Sequence, residues 1–134
     1  MAEGSASVVD QVQQVLEDLR SLSGEIGSAA VLSEGGEIKG STLAPGVDRE
    51  RYAAMIGALA GIARRVAREN GGAGFAQARI GEAGGYVLLV GLGRGYTLAA
   101  TTGPDARVGL VLYDMRNTGK ELERVLGFEE GIQR

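Results

Sequence analysis

The sequence predicts an α/β fold of order α-β-β-α-β-β-β-α, in which a five-stranded antiparallel sheet lies between helices. Three stretches repeat apolar residues at the spacing of amphipathic helices. Five short strand-like stretches separate them, and short glycine-containing turns join neighbouring strands. The stretch 86–92 is apolar on both faces, so that strand needs cover above and below the sheet.

The chain starts with a helix followed by a hairpin. Ser7, with Asp10 three residues later, predicts a capped helix start, and Gly24 ends the helical pattern. The stretches 28–33 and 37–43 flank "EGG" and predict a β-hairpin. The predicted core-facing residues of the first helix are Val8, Val9, Val12, Val15, Leu16, Leu19 and Leu22.

The second helix follows a Pro-Gly break, with Asp48 as its predicted N-cap, and ends at "ENGGAG", residues 69–74. Apolar residues cover almost its whole circumference. We predict a core-facing stripe made of Tyr52, Met55, Ile56, Leu59, Ile62, Ala63 and Val66. The opposite face is nearly free of large side chains and carries Ala53, Ala54, Gly57, Ala60 and Gly61.

Three strands and a last helix complete the fold. The stretches 75–82, 86–92 and 96–102 are joined by short turns, which require antiparallel pairing. Asp105 is the predicted cap of the third helix. Its predicted core stripe is Val108, Val111, Leu112, Met115, Gly119, Leu122 and Leu126. We expect the second helix on one face of the sheet and the first and third helices on the other.

Length and composition predict one domain over residues 1–134, with residues 1–6 and 128–134 frayed. The hydrophobic fraction of 44% and the charged fraction of 23% are typical of soluble globular proteins. The net charge of −3 comes without a basic run, which argues against nucleic-acid binding. No apolar run is long enough to span a bilayer and the start is not a signal peptide, so a cytoplasmic location is expected.

The absence of cysteine and histidine excludes disulfides, thiolate or imidazole metal sites, and Ser-His or Cys-His catalysis. Catalysis by carboxylates is not excluded, but no pair of carboxylates has a spacing that suggests general acid–base catalysis. We therefore predict no catalytic residues, no metal site and no cofactor.

The stretch "GLGRG", residues 91–95, invites comparison with phosphate-binding glycine loops. Such a loop must open onto a helix N-terminus, whereas this one leads into a strand. A hairpin turn is therefore favoured over a phosphate loop. "NTGKE" lies within a helix and is not a Walker motif.

Gly57 and Gly61 each cost about 1 kcal/mol relative to alanine inside a helix, so they need an explanation. A glycine-rich composition is one, since the chain has 23 glycines. Close approach of another backbone is the other. Strand 75–82 begins the meander and so lies at a sheet edge. We predict that a second copy packs here, through Ala53, Ala54, Gly57, Ala60, Gly61, Phe75, Gln77 and Arg79.

The sequence resembles the Roadblock family, the dynein-light-chain type that includes bacterial and archaeal MglB-like proteins. Three segments between residues 27 and 118 carry the resemblance: "AAVLSEGGEIKGST", "VDRERYAAMIGALAGIARRVA" and "YVLLVGLGRGYTLAATTGPDARVGLVLYDMRNT". It implies a Roadblock-like and profilin-like layer architecture. It also implies dimerisation through the second helix and third strand into one ten-stranded sheet.

The resemblance further implies a non-enzymatic homodimer that regulates a Ras-like small GTPase, as an activator or as an effector platform. The paired second helices would form the platform, and the candidate GTPase-binding residues are Arg64, Arg65, Arg68 and Glu69. An arginine donated to the GTPase could stabilise the transferred phosphoryl group. A solvated cationic helix end is the alternative. Because MglB-like proteins are taken to remodel the GTPase, we expect binding rather than an arginine finger.

Two other functions stay open. The protein could be an adaptor subunit of a larger assembly that leaves nucleotide turnover unchanged. It could also be a ligand-sensing module, but few aromatic residues and an alanine-rich interior argue against a roomy pocket.

Overall fold

A computed structural model gives the fold and describes residues 7–72 and 74–128. The helices are α1 (Val8–Leu22), α2 (Arg49–Glu69) and α3 (Val108–Val125). The strands are β1 (Ile26–Leu32), β2 (Ile38–Thr42), β3 (Gln77–Glu82), β4 (Gly85–Gly91) and β5 (Thr97–Thr102). The predicted order α-β-β-α-β-β-β-α is confirmed. The predicted frayed segments 1–6 and 129–134 lie outside the described residues.

All five strands form one antiparallel sheet in the order β2-β1-β5-β4-β3. Pairing of β1 with β5 joins the N-terminal hairpin to the meander and leaves β2 and β3 at the edges. The first strand begins at Ile26, two residues before the prediction, because Ile26 pairs with the distant Thr102. The third begins at Gln77 rather than at residue 75.

The helices cover the sheet as predicted, with α1 and α3 on one face and α2 on the other. The buried core under α1 and α3 includes alternate residues of the central strands, such as Val31, Leu88 and Leu98. The core under α2 takes the intervening residues and is smaller, with Ala30, Leu89 and Ala99 from the sheet. Because helices cover both faces of the sheet at β4, that strand is apolar throughout.

Two of the predicted helix starts are confirmed by their capping hydrogen bonds. The backbone N–H of Asp10 donates to the Ser7 hydroxyl at 3.1 Å. The backbone N–H of Arg51 donates to the Asp48 carboxylate at 3.1 Å. Each side chain satisfies one of the donors that the first helical turn leaves without a helical partner.

The predicted cap of α3, Asp105, is wrong. The helix begins two residues beyond the predicted position, at Val108, and Arg107 precedes it. The Arg107 backbone N–H donates to the Glu25 carboxylate at 2.8 Å, and the Arg107 Nε donates to the same group at 3.0 Å. A carboxylate that follows α1 thus takes the place of a local cap, and residue spacing alone gives no sign of it.

The apolar stripe of α1 is shorter than predicted. Val12, Leu16 and Leu19 are buried, whereas Val8, Val9 and Leu22, predicted to face the core, are exposed. The three exposed residues lie in the first and last turns of the helix. The sheet therefore covers only the middle of α1.

Phe128, predicted to be frayed, is buried. Gly127 has the left-handed backbone conformation (φ 82°) that often ends helices, and it turns the chain back after α3. The Phe128 ring then meets the Tyr96 ring edge-on, with 5.0 Å between ring centres. This aromatic contact fixes the end of the described chain against the turn between β4 and β5.

Candidate functional site

The face that α2 presents to the sheet differs from the predicted one. Its buried residues are Tyr52, Ile56 and Ala60, which follow one another at intervals of four. Ala60 packs in a core with the alanines of β1 and β5, so the helix lies close to the sheet. As a result Met55, Ile62 and Val66, predicted to face the core, are exposed by 58%, 56% and 56%.

Gly57 makes its close approach within the chain. A Cβ atom at this position would lie 3.5 Å from the Cα of Gly36, in the turn between β1 and β2. Ala53 and Ala54 border the same shallow depression beside that turn. The chain's own first hairpin thus lies at ordinary van der Waals distance from this position, and packing of a second copy on Gly57 stays a prediction.

The five small residues predicted to form one interface face are thus divided. Ala60 is buried in the monomer, which contradicts its predicted place on the surface. Gly61 has open space, because nothing lies within 4 Å of a Cβ atom built there. The structure does not bring the five together on one exposed face.

The exposed surface of α2 is instead an apolar stripe of large residues, which we define as Met55, Leu59, Ile62 and Val66. Leu59 packs partly against the core, and the other three project into solvent. Between this stripe and the start of β3 runs a groove of about 370 Å³. The groove is lined by Leu59, Ile62, Ala63, Val66, Ala67, Asn70, Phe75, Gln77 and Ala78.

Strand β3 forms the far wall of this groove and is an edge of the sheet, as predicted. Ala78 packs toward the core under α2, and Ile80, two residues on, is exposed by 44%. Gln77 accepts a hydrogen bond from Arg116 of α3 at 2.9 Å, and Arg79 is two residues beyond it. Phe75 precedes the strand and packs with the core under α2, so it does not share the predicted face with Gln77.

The two edges of the sheet differ in their hydrogen bonding. At the β2 edge, the Gln13 side chain of α1 accepts from the Ser41 backbone N–H at 3.1 Å and donates to the Ser41 carbonyl at 2.7 Å. This amide occupies the place of a neighbouring strand. At the β3 edge, no described residue pairs with the outward backbone groups of Gln77–Glu82. In the described ranges the β2 edge is therefore blocked at Ser41, whereas the β3 edge is open along its whole length.

The four candidate GTPase-binding residues fall into two pairs. Arg65 and Glu69 are exposed and border a shallow cavity together with Ile62 and Val66 of the apolar stripe. Arg64 and Arg68 line a different cleft, toward the β4–β5 turn.

The Arg64 guanidinium already has protein partners: it donates to the carbonyl of Gly95 at 3.1 Å and to that of Glu34 at 3.4 Å. Arg64 therefore ties α2 to two turns of its own chain.

Neither a metal site nor a membrane helix is found in the described ranges. Residues 7–72 and 74–128 contain no group of three or more acidic side chains placed to hold a metal ion. Within the same part of the chain, every helix is too short or too polar to cross a bilayer.

The fold agrees with comparisons to known proteins. A model of the Roadblock/LC7 domain matches residues 11–102, more than half of the sequence. The chain belongs to the Roadblock/LC7 family. The crystal structure of a Roadblock/LC7 domain from Streptomyces avermitilis is 31% identical, with a TM-score of 0.64, over 83% of this chain and 97% of that one.

Two solved MglB structures share the fold at lower identity. Myxococcus xanthus MglB is 14% identical with a TM-score of 0.80, over 88% of this chain and 89% of that one. The gliding protein MglB from Thermus thermophilus is 16% identical with a TM-score of 0.77, over 90% and 91%. No curated protein matches the chain significantly.

Proposed function

We propose that this Roadblock protein forms a homodimer in which α2 and β3 of one copy meet α2 and β3 of the other. The observation that carries the proposal is an apolar stripe next to the open β3 edge. A second copy fits both features, because a twofold axis perpendicular to the sheet sets two β3 edges side by side and brings the two stripes together on one face. The β2 edge is a poorer site, because Gln13 already occupies the outward backbone groups of Ser41.

Burial energetics favour this occupant. Burying a large aliphatic or methionine side chain contributes about 1.5–3 kcal/mol relative to leaving it exposed. Met55, Ile62 and Val66 are each more than half exposed. A symmetric dimer would bury these residues in both of its copies. Pairing of the β3 edges would also satisfy the outward backbone groups of that strand.

We further propose that the dimer regulates a Ras-like small GTPase, which would bind across the paired α2 helices. The family resemblance to MglB-like proteins supports this role. Arg65 and Glu69 lie beside the apolar stripe on an exposed part of α2, where a partner docked on the paired helices would meet them. They supply charges of both signs for orienting the partner. Arg68 lies further round the helix, at the mouth of the cleft.

Single-turnover hydrolysis of GTP by a Ras-like GTPase encoded near this protein tests the role. We expect the rate to rise when the protein is added in excess. Binding without a rate change would favour the adaptor function. If the protein neither binds the GTPase nor changes its rate of hydrolysis, the proposal is contradicted.

A charge reversal tests the docking surface. Arg65→Glu should weaken GTPase binding about tenfold, because it places a carboxylate beside Glu69 at the proposed contact. Arg20→Glu is the matched control, since Arg20 is an exposed arginine in the last turn of α1, on the other face of the sheet. Equal loss of binding in both variants would place the GTPase elsewhere. Arg64 is unsuitable for this test because it holds the two turns of its own chain.

A further inference from the structure

A cleft of about 580 Å³ opens between the C-terminal half of α2 and the turn that joins β4 to β5. It is lined by three arginines, Arg64 and Arg68 of α2 and Arg94 of the turn, and by Phe75, Leu92 and Tyr96. The cleft thus combines cationic residues with apolar and partly aromatic ones, and it is larger than the alanine-rich sequence predicts.

The cleft has an excess of positive charge. Three arginines and one acidic residue, Glu34, line the cleft, which gives a local charge of +2 in a chain whose net charge is −3. No ion pair involves Arg68 or Arg94 within residues 7–72 and 74–128. Positive charge concentrated in a concave surface attracts anions more strongly than the same charge on an open face.

Two of the three arginines are held in place by the surrounding structure. Arg64 is fixed by its hydrogen bonds to the carbonyls of Gly95 and Glu34. Arg94 has a positive φ of 61°, the only such non-glycine residue in the described ranges. Its guanidinium carbon lies 5.0 Å from the centre of the Phe128 ring, a cation–π distance. A strained backbone at a surface turn often marks a functional position.

The backbone of the turn is also fixed. The N–H of Gly93 donates to the Glu123 carboxylate of α3 at 2.8 Å, and the N–H of Leu92 donates to the Tyr96 carbonyl at 2.8 Å. Behind the turn lies Thr97, paired in register with Gly91; its buried hydroxyl has no hydrogen-bond partner among the described residues. The hydrogen bonds of Gly93 and Leu92 fix the turn that borders the cleft, so the cleft is largely formed before any ligand arrives.

We propose that this cleft binds a small molecule in which a phosphate group is joined to a planar ring, the chemistry of a nucleoside monophosphate. Arg68 and Arg94 would hold the phosphate, because the planar guanidinium presents paired donors to phosphate oxygens. The ring would lie against Phe75, which packs on the α2 side of the sheet, since planar rings pack on aromatic side chains. The site requires neither the dimer nor the GTPase.

Titration of the intact protein with AMP, adenosine and inorganic phosphate, followed by ¹H–¹⁵N NMR, tests the proposal. AMP should bind at least about tenfold more tightly than either fragment, because it alone carries both a phosphate for the arginines and a ring for Phe75. The largest shifts should appear at the backbone amides of Gly93, Arg94 and Gly95. No binding of AMP, or equal binding of AMP and either fragment, would overturn the proposal.

Arginine variants locate the site. Arg68→Ala should weaken AMP binding about tenfold, as should Arg94→Gly, which removes the guanidinium and keeps a residue suited to positive φ. Arg65→Ala is the matched control, because Arg65 is an exposed arginine of the same helix that does not line the cleft. Unchanged binding in Arg68→Ala and Arg94→Gly, or an equal loss in Arg65→Ala, would overturn the assignment. Loss of GTPase binding in Arg65→Glu with intact AMP binding separates this proposal from the previous one.

Discussion

Tyr52 shows how one buried polar atom can be tested at the scale of a residue. Its ring fills the core under α2, and its hydroxyl is buried without a hydrogen-bond partner in the described ranges. Burial raises the pKa of this hydroxyl well above its ordinary value of 10.0, since the charged form would lose its hydration. The ring therefore stabilises the fold and the oxygen does not.

We predict that Tyr52→Phe raises the free energy of unfolding by about 1 kcal/mol, because it removes a polar atom that folding leaves without a partner. Urea denaturation followed by circular dichroism measures the change. Tyr113→Phe, the same replacement at an exposed position of α3, should have no effect. If Tyr52→Phe destabilises the protein, the hydroxyl has a partner after all. Above pH 10, ionisation of Tyr52 in the unfolded chain lowers the free energy of unfolding, and Tyr52→Phe should remove this effect.

We expect Glu25 to make the stability of the protein depend on pH in the acid range, through its contact with the start of α3. Hydrogen bonds from the backbone and the side chain of Arg107 lower the pKa of the Glu25 carboxyl below its ordinary value of 4.5. A lowered pKa in the folded state adds stability above the unfolded value, and that stability disappears as the pH falls through the folded value. Glu25→Gln should therefore lower the melting temperature at pH 7 and reduce its fall below pH 4.5.

Melting curves between pH 3 and pH 7 check this prediction. Asp105→Asn is the control, because Asp105 was the cap predicted from sequence and makes no capping bond to α3. If Asp105→Asn changes the acid profile as much as Glu25→Gln does, the cap assignment is wrong.

Local patterns identified Ser7 and Asp48, whose bonds span three residues. They missed Glu25, which is 82 residues from Arg107 in the chain.

At the scale of an element, α2 marks the limit of reading a helix by its periodicity. The pattern identified the helix and its N-cap, but apolar residues around the whole circumference allow more than one orientation. Packing against the sheet decides the orientation of α2, because Ala60 packs closely with Ala30 and Ala99. Larger residues on α2 were then left outside. The strongest sequence signal for an interface was the wide apolar circumference itself, rather than its small residues.

The two glycines of α2 should respond differently to substitution. Gly61→Ala should raise the free energy of unfolding by about 0.5–1 kcal/mol, because it favours the helix and meets no atom within 4 Å. Gly57→Leu should lower it by about 1–3 kcal/mol, since the larger side chain would be forced against Gly36. Thermal denaturation of both variants measures the difference. Loss of self-association in Gly61→Ala would instead show that a second copy packs directly on Gly61.

At the scale of the whole molecule, the layer arrangement could be predicted because one strand, β4, is apolar on both faces. The edge position of β3 could be predicted as well, because that strand begins the meander; the partial block of the other edge could not. It depends on Gln13 reaching from α1 to the backbone of Ser41, a contact between distant parts of the chain. Once that contact is known, the two edges of the sheet are no longer equivalent. This difference favours β3 over β2 in the proposed pairing of sheets between copies.

The proposed dimer can be broken by placing one charge in the apolar stripe. Ile62→Glu should shift the protein from dimer to monomer, because two buried and unpaired carboxylates would face each other across the twofold axis. Leu110→Glu is the matched control: Leu110 is exposed by 54%, close to the 56% of Ile62, but lies on α3 on the opposite face of the sheet.

Sedimentation equilibrium measures the mass of each variant, and circular dichroism verifies that each is folded. A dimeric Ile62→Glu protein, or a monomeric Leu110→Glu protein, would place the interface elsewhere. The pair of variants also decides how the GTPase assay is to be interpreted. If the dimer forms the platform, Ile62→Glu should lose the effect on GTP hydrolysis and Leu110→Glu should retain it. A monomeric Ile62→Glu that still stimulates hydrolysis would separate regulation from dimerisation, since a single α2 helix would then suffice.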